Sequence, residues 1–329
     1  MNQQYVDTVR VLLAVAPAVF RSPRFALKGG TALNLFAHDM PRLSVDIDVV
    51  FTDHTLNRED ALRAIAADLK AAKSAIAALG FHAHLPTAKG GENVKLLVEG
   101  SGQRIKVEVN FVLRGTVLPV TQRPLVPKAQ ELFTTDITLP ILDLPELYGG
   151  KLVAAMDRQH SRDMFDVLQM LERFGWRSSF IDCFVAYLAG HNRPVHEVLF
   201  PNRLPLSPAF SNEFAGLTTD EIALATLEQT QTRLIEELPR ALTPRHRGFL
   251  LSLVNAEPAW DLMPFANLQH LPAPQWKLSN LRKLKKNNPG RFAAQRDELL
   301  SRFADLPEPA GSGVPKGQIV RSPKQLLET

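Results

Sequence analysis

Apolar residues along the first fifty positions change their spacing several times, and each change predicts an element. Gln4 to Phe20 carries them at helical intervals and predicts a leading amphipathic helix. Phe25 to Leu27 is a short apolar segment, broken by Gly29 and Gly30; Thr31 to His38 then reads as a short helix with Thr31 near its start. Val45 to Phe51 alternates and predicts a strand, so Asp46 and Asp48 share one face while Val45, Ile47 and Val49 turn to the core.

The Ala-rich stretch Arg58 to Leu79 has helical periodicity and polar ends, which fits a surface helix packed on a sheet. Phe81 to Leu85, Val94 to Glu99 and Arg104 to Leu113 read as strands, with the glycines at 90, 91, 100 and 102 marking hairpin turns. Residues 117–143 are richer in Pro and Thr and predict one or two further strands. Leu144-Pro145 starts a helix, and from there to residue 305 the pattern is helical throughout. The expected architecture is α+β: a mixed β-sheet flanked by helices over 1–143, an all-helical C-terminal domain over 144–306 that shares a cleft with it, and a Pro- and Gly-rich tail at 307–329 expected to be disordered.

Two like charges side by side on a strand cost stability, and a hard cation with oxygen ligands would offset them. The glycines permit close backbone approach, and the helix start after them offers free N–H groups to an anion. A turn needing positive φ and a solvated edge strand explain the same residues without chemistry. The glycine spacing matches neither a dinucleotide-binding turn nor a P-loop. On the strand Arg104 to Leu113, Lys106, Glu108 and Asn110 share one face, which makes Glu108 a third carboxylate candidate or a plain solvent-facing residue.

Lys28-Gly29-Gly30-Thr31-Ala32-Leu33, followed by Arg42-x-Ser44-x-Asp46-x-Asp48, resembles the signature of the AbiEii/AbiGii (MenT-like) family of nucleotidyltransferase toxins. These belong to bacterial toxin-antitoxin and phage-defence abortive-infection systems. A second block, Lys151, Arg158 and Arg162-Asp163-x-x-Asp166, and the stretch Leu271 to Leu281 extend the likeness over roughly residues 25 to 300. The resemblance implies magnesium-dependent (or manganese-dependent) transfer of a nucleotidyl group from an NTP to an acceptor, the tRNA 3′ end above others, which blocks translation. It implies metal on Asp46 and Asp48, with Glu108 as further ligand or base, and triphosphate at Lys28, Gly29, Gly30 and Thr31, with Ser44 and Arg42 as further phosphate contacts. Lys151 becomes the catalytic lysine, with Asp166 or Asp163 as the last catalytic aspartate. Arg42 pairing with an aspartate, Ser44 as a plain strand serine, and an Arg158–aspartate ion pair are the structural alternatives. A cognate antitoxin would be encoded nearby. A protein or small-molecule acceptor, or a nucleotide-binding chain without activity, are the alternative functions.

Composition narrows the remainder. With 329 residues, 45% of them apolar, the chain can bury two sizeable cores. No apolar run reaches the roughly 18 residues that span a bilayer, and Met1 to Arg10 is unlike a signal peptide, so a cytoplasmic address is expected. The single cysteine, Cys183, excludes an internal disulfide and reads as packing. The nine histidines lack metal-ligand spacing, and His82 and His84 read as surface residues. Net charge is only +4, yet from about residue 240 basic residues outnumber acidic ones by about seven. Lys277, Arg282, Lys283, Lys285, Lys286 and Arg291 form a cluster that fits an RNA backbone or, more simply, a solvated helix face. Trp276 beside it is expected to pack beneath the helix.

Overall fold

The computed structural model describes residues 1–86 and 94–306; the glycines at 90 and 91 and the tail beyond 306 lie outside the described residues. The chain opens with α1 (Gln3–Val19), whose first turn is capped by the Asn2 side chain accepting from the Gln4 N–H. β1 (Phe25–Lys28) runs directly into α2 (Gly29–Ala32), which continues as a π-helical turn, Leu33–Ala37. β2 (Ile47–Phe51) and α3 (Arg58–Ala78) follow, the latter capped by Asn57 and carrying Glu59 and Asp60 in its first turn. β3 (His82–His84), β4 (Lys95–Gly100) and β5 (Gln103–Asn110) come next, and Ser101-Gly102 turns the β4–β5 hairpin.

Residues 117–143 hold the two further strands, β6 (Thr121–Pro124) and β7 (Thr138–Ile141), and between them α4 (Pro127–Phe133), which the sequence reading did not anticipate. Its signal is Pro127 at the first helical position followed by good helix formers, with Ala129 and Phe133 buried. α5 (Leu144–Arg158), α6 (Ser161–Phe174), α7 (Ser178–Ala189) and α8 (Val195–Leu199) begin the helical part. The short α9 (Ser207–Ala209), then α10 (Leu224–Ala241), α11 (Pro244–Val254), α12 (Pro272–Asn287) and α13 (Pro289–Ala304) complete it.

The seven strands form one mixed sheet in the order β3-β4-β5-β2-β1-β7-β6. β2 is its centre: it runs antiparallel to β1 and parallel to β5, and Ile47, Val49, Val50 and Phe51 are all buried. α1 and α3 cover one face, with α1 against β5 and α3 against β3 and β4; α2 and α5 meet on the other side. Cys183 is buried in α7, as packing requires.

Glu146, in the first turn of α5, fastens the connection after β5 to the helical part. Its buried carboxylate accepts from the N–H groups of Val117 (2.9 Å) and Leu118 (3.0 Å) and from the Tyr187 hydroxyl (3.0 Å). Burial pushes this carboxyl from 4.5 up to about 7 against the opposing hydrogen bonds. Between those values the folded chain binds a proton more readily than the unfolded one, so stability from this group is full below about 4.5 and is lost as pH rises through about 7. The difference in Tm between native protein and Glu146→Gln should therefore shift against the native protein as pH rises from about 5 to about 8. A difference independent of pH contradicts the assignment.

Candidate active site

The end of β1 brings the glycines to the carboxylates. Lys28 on β1 stands opposite Asp48 on β2, which stands opposite Glu108 on β5, which in turn faces Lys95 on β4. One row across four strands therefore sets two neighbouring carboxylates between two lysines. Asp46 precedes the strand, which begins only at Ile47: its carbonyl accepts from the Thr31 hydroxyl, so the chain is tied to α2 before the ladder starts. Asp46 and Asp48 nevertheless present half-buried carboxylates on one side, with Ile47 and Val49 fully buried on the other.

Gly29 lies at φ +75°, and a Cβ there would sit 2.5 Å from Asp48 Oδ2. A Cβ on Gly30 would sit 2.8 Å from the Arg42 guanidinium and 2.9 Å from Ser44 Oγ. Both positions thus exclude a side chain because functional groups close on the backbone. Ser44, which lies outside the strand, contacts the Thr31 hydroxyl at 3.1 Å. Thr31 is buried and its side chain is engaged by Ser44 and Asp46, so at this site it fastens the turn.

The opposite wall is a buried ion cluster. Arg42 donates two hydrogen bonds to Asp166, Nε to Oδ1 at 2.8 Å and Nη2 to Oδ2 at 2.7 Å, and a third to the Leu43 carbonyl. The phosphate role expected for Arg42 is therefore replaced by its structural alternative, because a side chain 3% exposed has its planar fork filled by a carboxylate. Lys151 on α5 stands between Asp163 (3.0 Å) and Asp166 (2.8 Å) of α6. Arg158 grips Asp163 with Nε at 2.6 Å and Nη2 at 2.9 Å. Asn34 links the Gly30 carbonyl (2.9 Å) to Asp166 (3.1 Å), joining the glycine turn to the cluster. Against burial, Lys151 and Arg158 hold Asp163 well below the usual carboxylate range, and Arg42 and Lys151 hold Asp166 below its ordinary value.

Glu108 is committed elsewhere. Lys106 (3.0 Å) and Lys95 (3.2 Å) pair with it, and against the effect of burial they hold its carboxyl below its ordinary value. Among the described residues no three metal-ligating side chains gather into a group, so the expected triad of Asp46, Asp48 and Glu108 is not assembled. Its physical reason is that two lysines already satisfy the third carboxylate. Asp46 and Asp48 differ from it: among the described residues neither carboxylate has a salt-bridge partner. Burial, with Asp48 and Glu108 adding to it and Lys106 and Arg162 opposing, raises the Asp46 carboxyl above its ordinary value. Burial lowers the Lys28 ammonium against the pull of Asp48 and Glu108.

Two expectations on α12 are corrected. Lys277 is buried and donates to the carbonyls of His191 (2.9 Å) and Arg193, with its ammonium pushed down to about 8 by burial. Trp276 is 49% exposed, because Ala273, Pro274, Lys277, Leu278 and Leu281 form the inward stripe and residue 276 falls outside it. Arg282, Lys283 and Lys286 are exposed, whereas Lys285 pairs with Glu257 and lies over Phe292. A cavity of about 650 Å³ lies elsewhere, lined by Val117, Leu118, Asp182, Cys183, Phe265 and Asn267, and contains none of the candidate residues. Asn34 was the contribution that the sequence did not single out, whereas Arg158 pairs with an aspartate as its structural alternative held.

The family described as "Nucleotidyl transferase AbiEii toxin, Type IV TA system" matches residues 10–280. Among solved structures, MenT4, a nucleotidyltransferase toxin from Mycobacterium tuberculosis H37Rv, is similar in fold with a TM-score of 0.54 and 18% identity. That similarity covers 85% of this chain and 92% of the other. No curated protein matches.

Removing Arg42 leaves Asp166 buried with less than its full complement of positive charge. Arg42→Ala should cost about 3–5 kcal/mol in denaturant unfolding, against under about 0.5 kcal/mol for the exposed Arg282→Ala. Equal losses for the two variants contradict the cluster's structural role.

Proposed function

The chain belongs to the AbiEii family of nucleotidyl transferase toxins of type IV toxin-antitoxin systems, and we propose that it transfers a nucleotidyl group from an NTP to the 3′ end of tRNA. The observation that carries this reading is the pair Asp46 and Asp48, two half-buried carboxylates without an ion-pair partner among the described residues, directly beside the Gly29–Gly30 turn. The Coulomb cost of such a pair falls when a hard cation joins it, and magnesium takes one or two carboxylates plus substrate phosphates. The donor set fits magnesium, or manganese in its place, on Asp46 and Asp48. When bound, the ion supplies charge neutralisation at the phosphates and polarises the attacking oxygen.

The chain's own groups account for the rest. Backbone at Gly29 and Gly30 and the Lys28 ammonium receive the triphosphate. Asp163 and Asp166 hold Lys151 in one orientation, so its charge is fixed before the reaction begins. Both aspartates are saturated by cations, which favours a positioning role for each over contact with the acceptor. Glu108 is held down by its two lysines, which makes it a poor base for the acceptor hydroxyl. Residues 1–143 thus supply the donor and ion site, and residues 144–306 supply the cationic wall.

The exposed Arg282, Lys283 and Lys286 on α12, with Trp276 on the same helix, suit a polyanionic acceptor with accessible bases. This favours tRNA over a protein or small molecule; on this reading the activity is cytoplasmic and, as for the family, a cognate antitoxin is encoded nearby. Loss of translation-competent tRNA would explain growth arrest and a part in phage defence. No helix of the described residues is long and apolar enough to cross a membrane.

Purified protein incubated with each labelled NTP, magnesium and total tRNA should label the tRNA 3′ end. Chelation should abolish the label, and Asp48→Ala should reduce it by about a hundredfold or more. Label in protein or small molecules, or none at all, would overturn the tRNA reading.

A further inference from the structure

The buried ion cluster holds three cations, Arg42 from the segment before β2 and Lys151 and Arg158 from α5, and they differ sharply in freedom. Arg42 and Lys151 are 3% and 7% exposed, with their donors turned to buried carboxylates and the backbone. Arg158 is 60% exposed. It stands at the last residue of α5, where Gln159 in a left-handed conformation ends the helix. Its Nε and one Nη2 hydrogen are spent on Asp163, which leaves both Nη1 hydrogens and one Nη2 hydrogen facing away from that carboxylate. Asp48 and Lys28 on the sheet lie close enough for their charges to act on this guanidinium, which sets its open edge in the neighbourhood of the carboxylate and glycine residues.

A guanidinium clamped on one side by a fully buried carboxylate is preorganised on the other, and its fork matches two phosphate oxygens. We propose that Arg158 is a catalytic residue that binds the donor's β- and γ-phosphates and carries the charge of the leaving pyrophosphate, with Asp163 as its positioning residue. The assignment rests on the nucleotidyl-transfer reading. In that step the acceptor oxygen bonds to the α-phosphorus as the bond to the α–β bridging oxygen breaks. The electron pair stays on the pyrophosphate, beside Arg158, and the acceptor's proton leaves to solvent water. Lys151, enclosed by Asp163 and Asp166, then acts chiefly through its fixed charge, and Arg158 is the group that meets the anion.

The test is calorimetric titration of the native protein, Arg158→Gln, Arg158→Lys and Asp163→Asn with inorganic pyrophosphate, alongside steady-state transfer kinetics and thermal unfolding. Arg158→Gln should weaken pyrophosphate binding and raise the NTP KM, each by about tenfold; its Tm should fall because Asp163 loses one of its two cationic partners, with a cooperative transition still above the titration temperature. Arg158→Lys should recover part of the affinity, since it restores charge without the fork. Asp163→Asn should weaken binding too, and its unfolding curve separates that effect from misfolding. Native affinity for pyrophosphate in Arg158→Gln, or no pyrophosphate binding by the native protein, would overturn the proposal. Should the native protein bind pyrophosphate through Arg158 but transfer no nucleotide, the transfer reading fails and the anion site stands.

Discussion

Asp163 and Asp166 are removed from water and remain charged because Arg42, Lys151 and Arg158 close on them. Burying two carboxylates costs several kcal/mol each before pairing, so the cluster forms only when three separate parts of the chain arrive together. Arg42 comes from the segment before β2, Lys151 and Arg158 from α5, and the aspartates from α6. A well-packed apolar cluster would stabilise the contact as well. What ion pairing adds is direction, because a bidentate Arg42–Asp166 contact admits one relative placement of sheet and helix.

That placement decides what the cleft can do. Asn34 carries the constraint from Asp166 to the Gly30 carbonyl, and Thr31 carries it onward to the Asp46 carbonyl. The glycine turn, the two carboxylates and the cationic wall are therefore positioned by one connected set of hydrogen bonds. Within it nearly every charge is neutralised, Glu108 by two lysines and the aspartates of α6 by three cations. Asp46 and Asp48 stand out because among the described residues neither has an ion-pair partner, and Arg158 because it is anchored on Asp163 at one edge of an exposed guanidinium. Unsatisfied charge in a rigid setting is what a charged substrate can complete.

Much of this was legible in sequence. Alternation around Ile47 and Val49 identified the carboxylate face, and Gly29 has the positive φ that the doubled glycine suggested, whereas the side chains that close on the two glycines, Asp48, Arg42 and Ser44, were not foreseen. The Arg162-Asp163-x-x-Asp166 block identified the helix that pairs with Lys151. Tertiary partners were beyond reach: periodicity says that Lys106 and Glu108 share a face, yet not that Lys95 arrives across a hairpin to share the carboxylate. On α12 a one-residue difference in helical phase exposed Trp276 and buried Lys277, which finds backbone carbonyls at the His191–Arg193 turn that no local pattern announces. α4 was hidden by the Pro- and Thr-rich composition around it.

The central claim is that the donor site lies between Asp46 and Asp48 on the sheet and the cationic wall of α5 and α6. Crystals grown with manganese and a non-hydrolysable NTP test it most directly, since anomalous scattering locates the ion independently of the phosphates. The account predicts an anomalous peak shared by Asp46 and Asp48, with the triphosphate between the Gly29–Gly30 backbone and Arg158. A peak held by Glu108 without them, or a nucleotide seated in the cavity lined by Asp182 and Phe265, would contradict it.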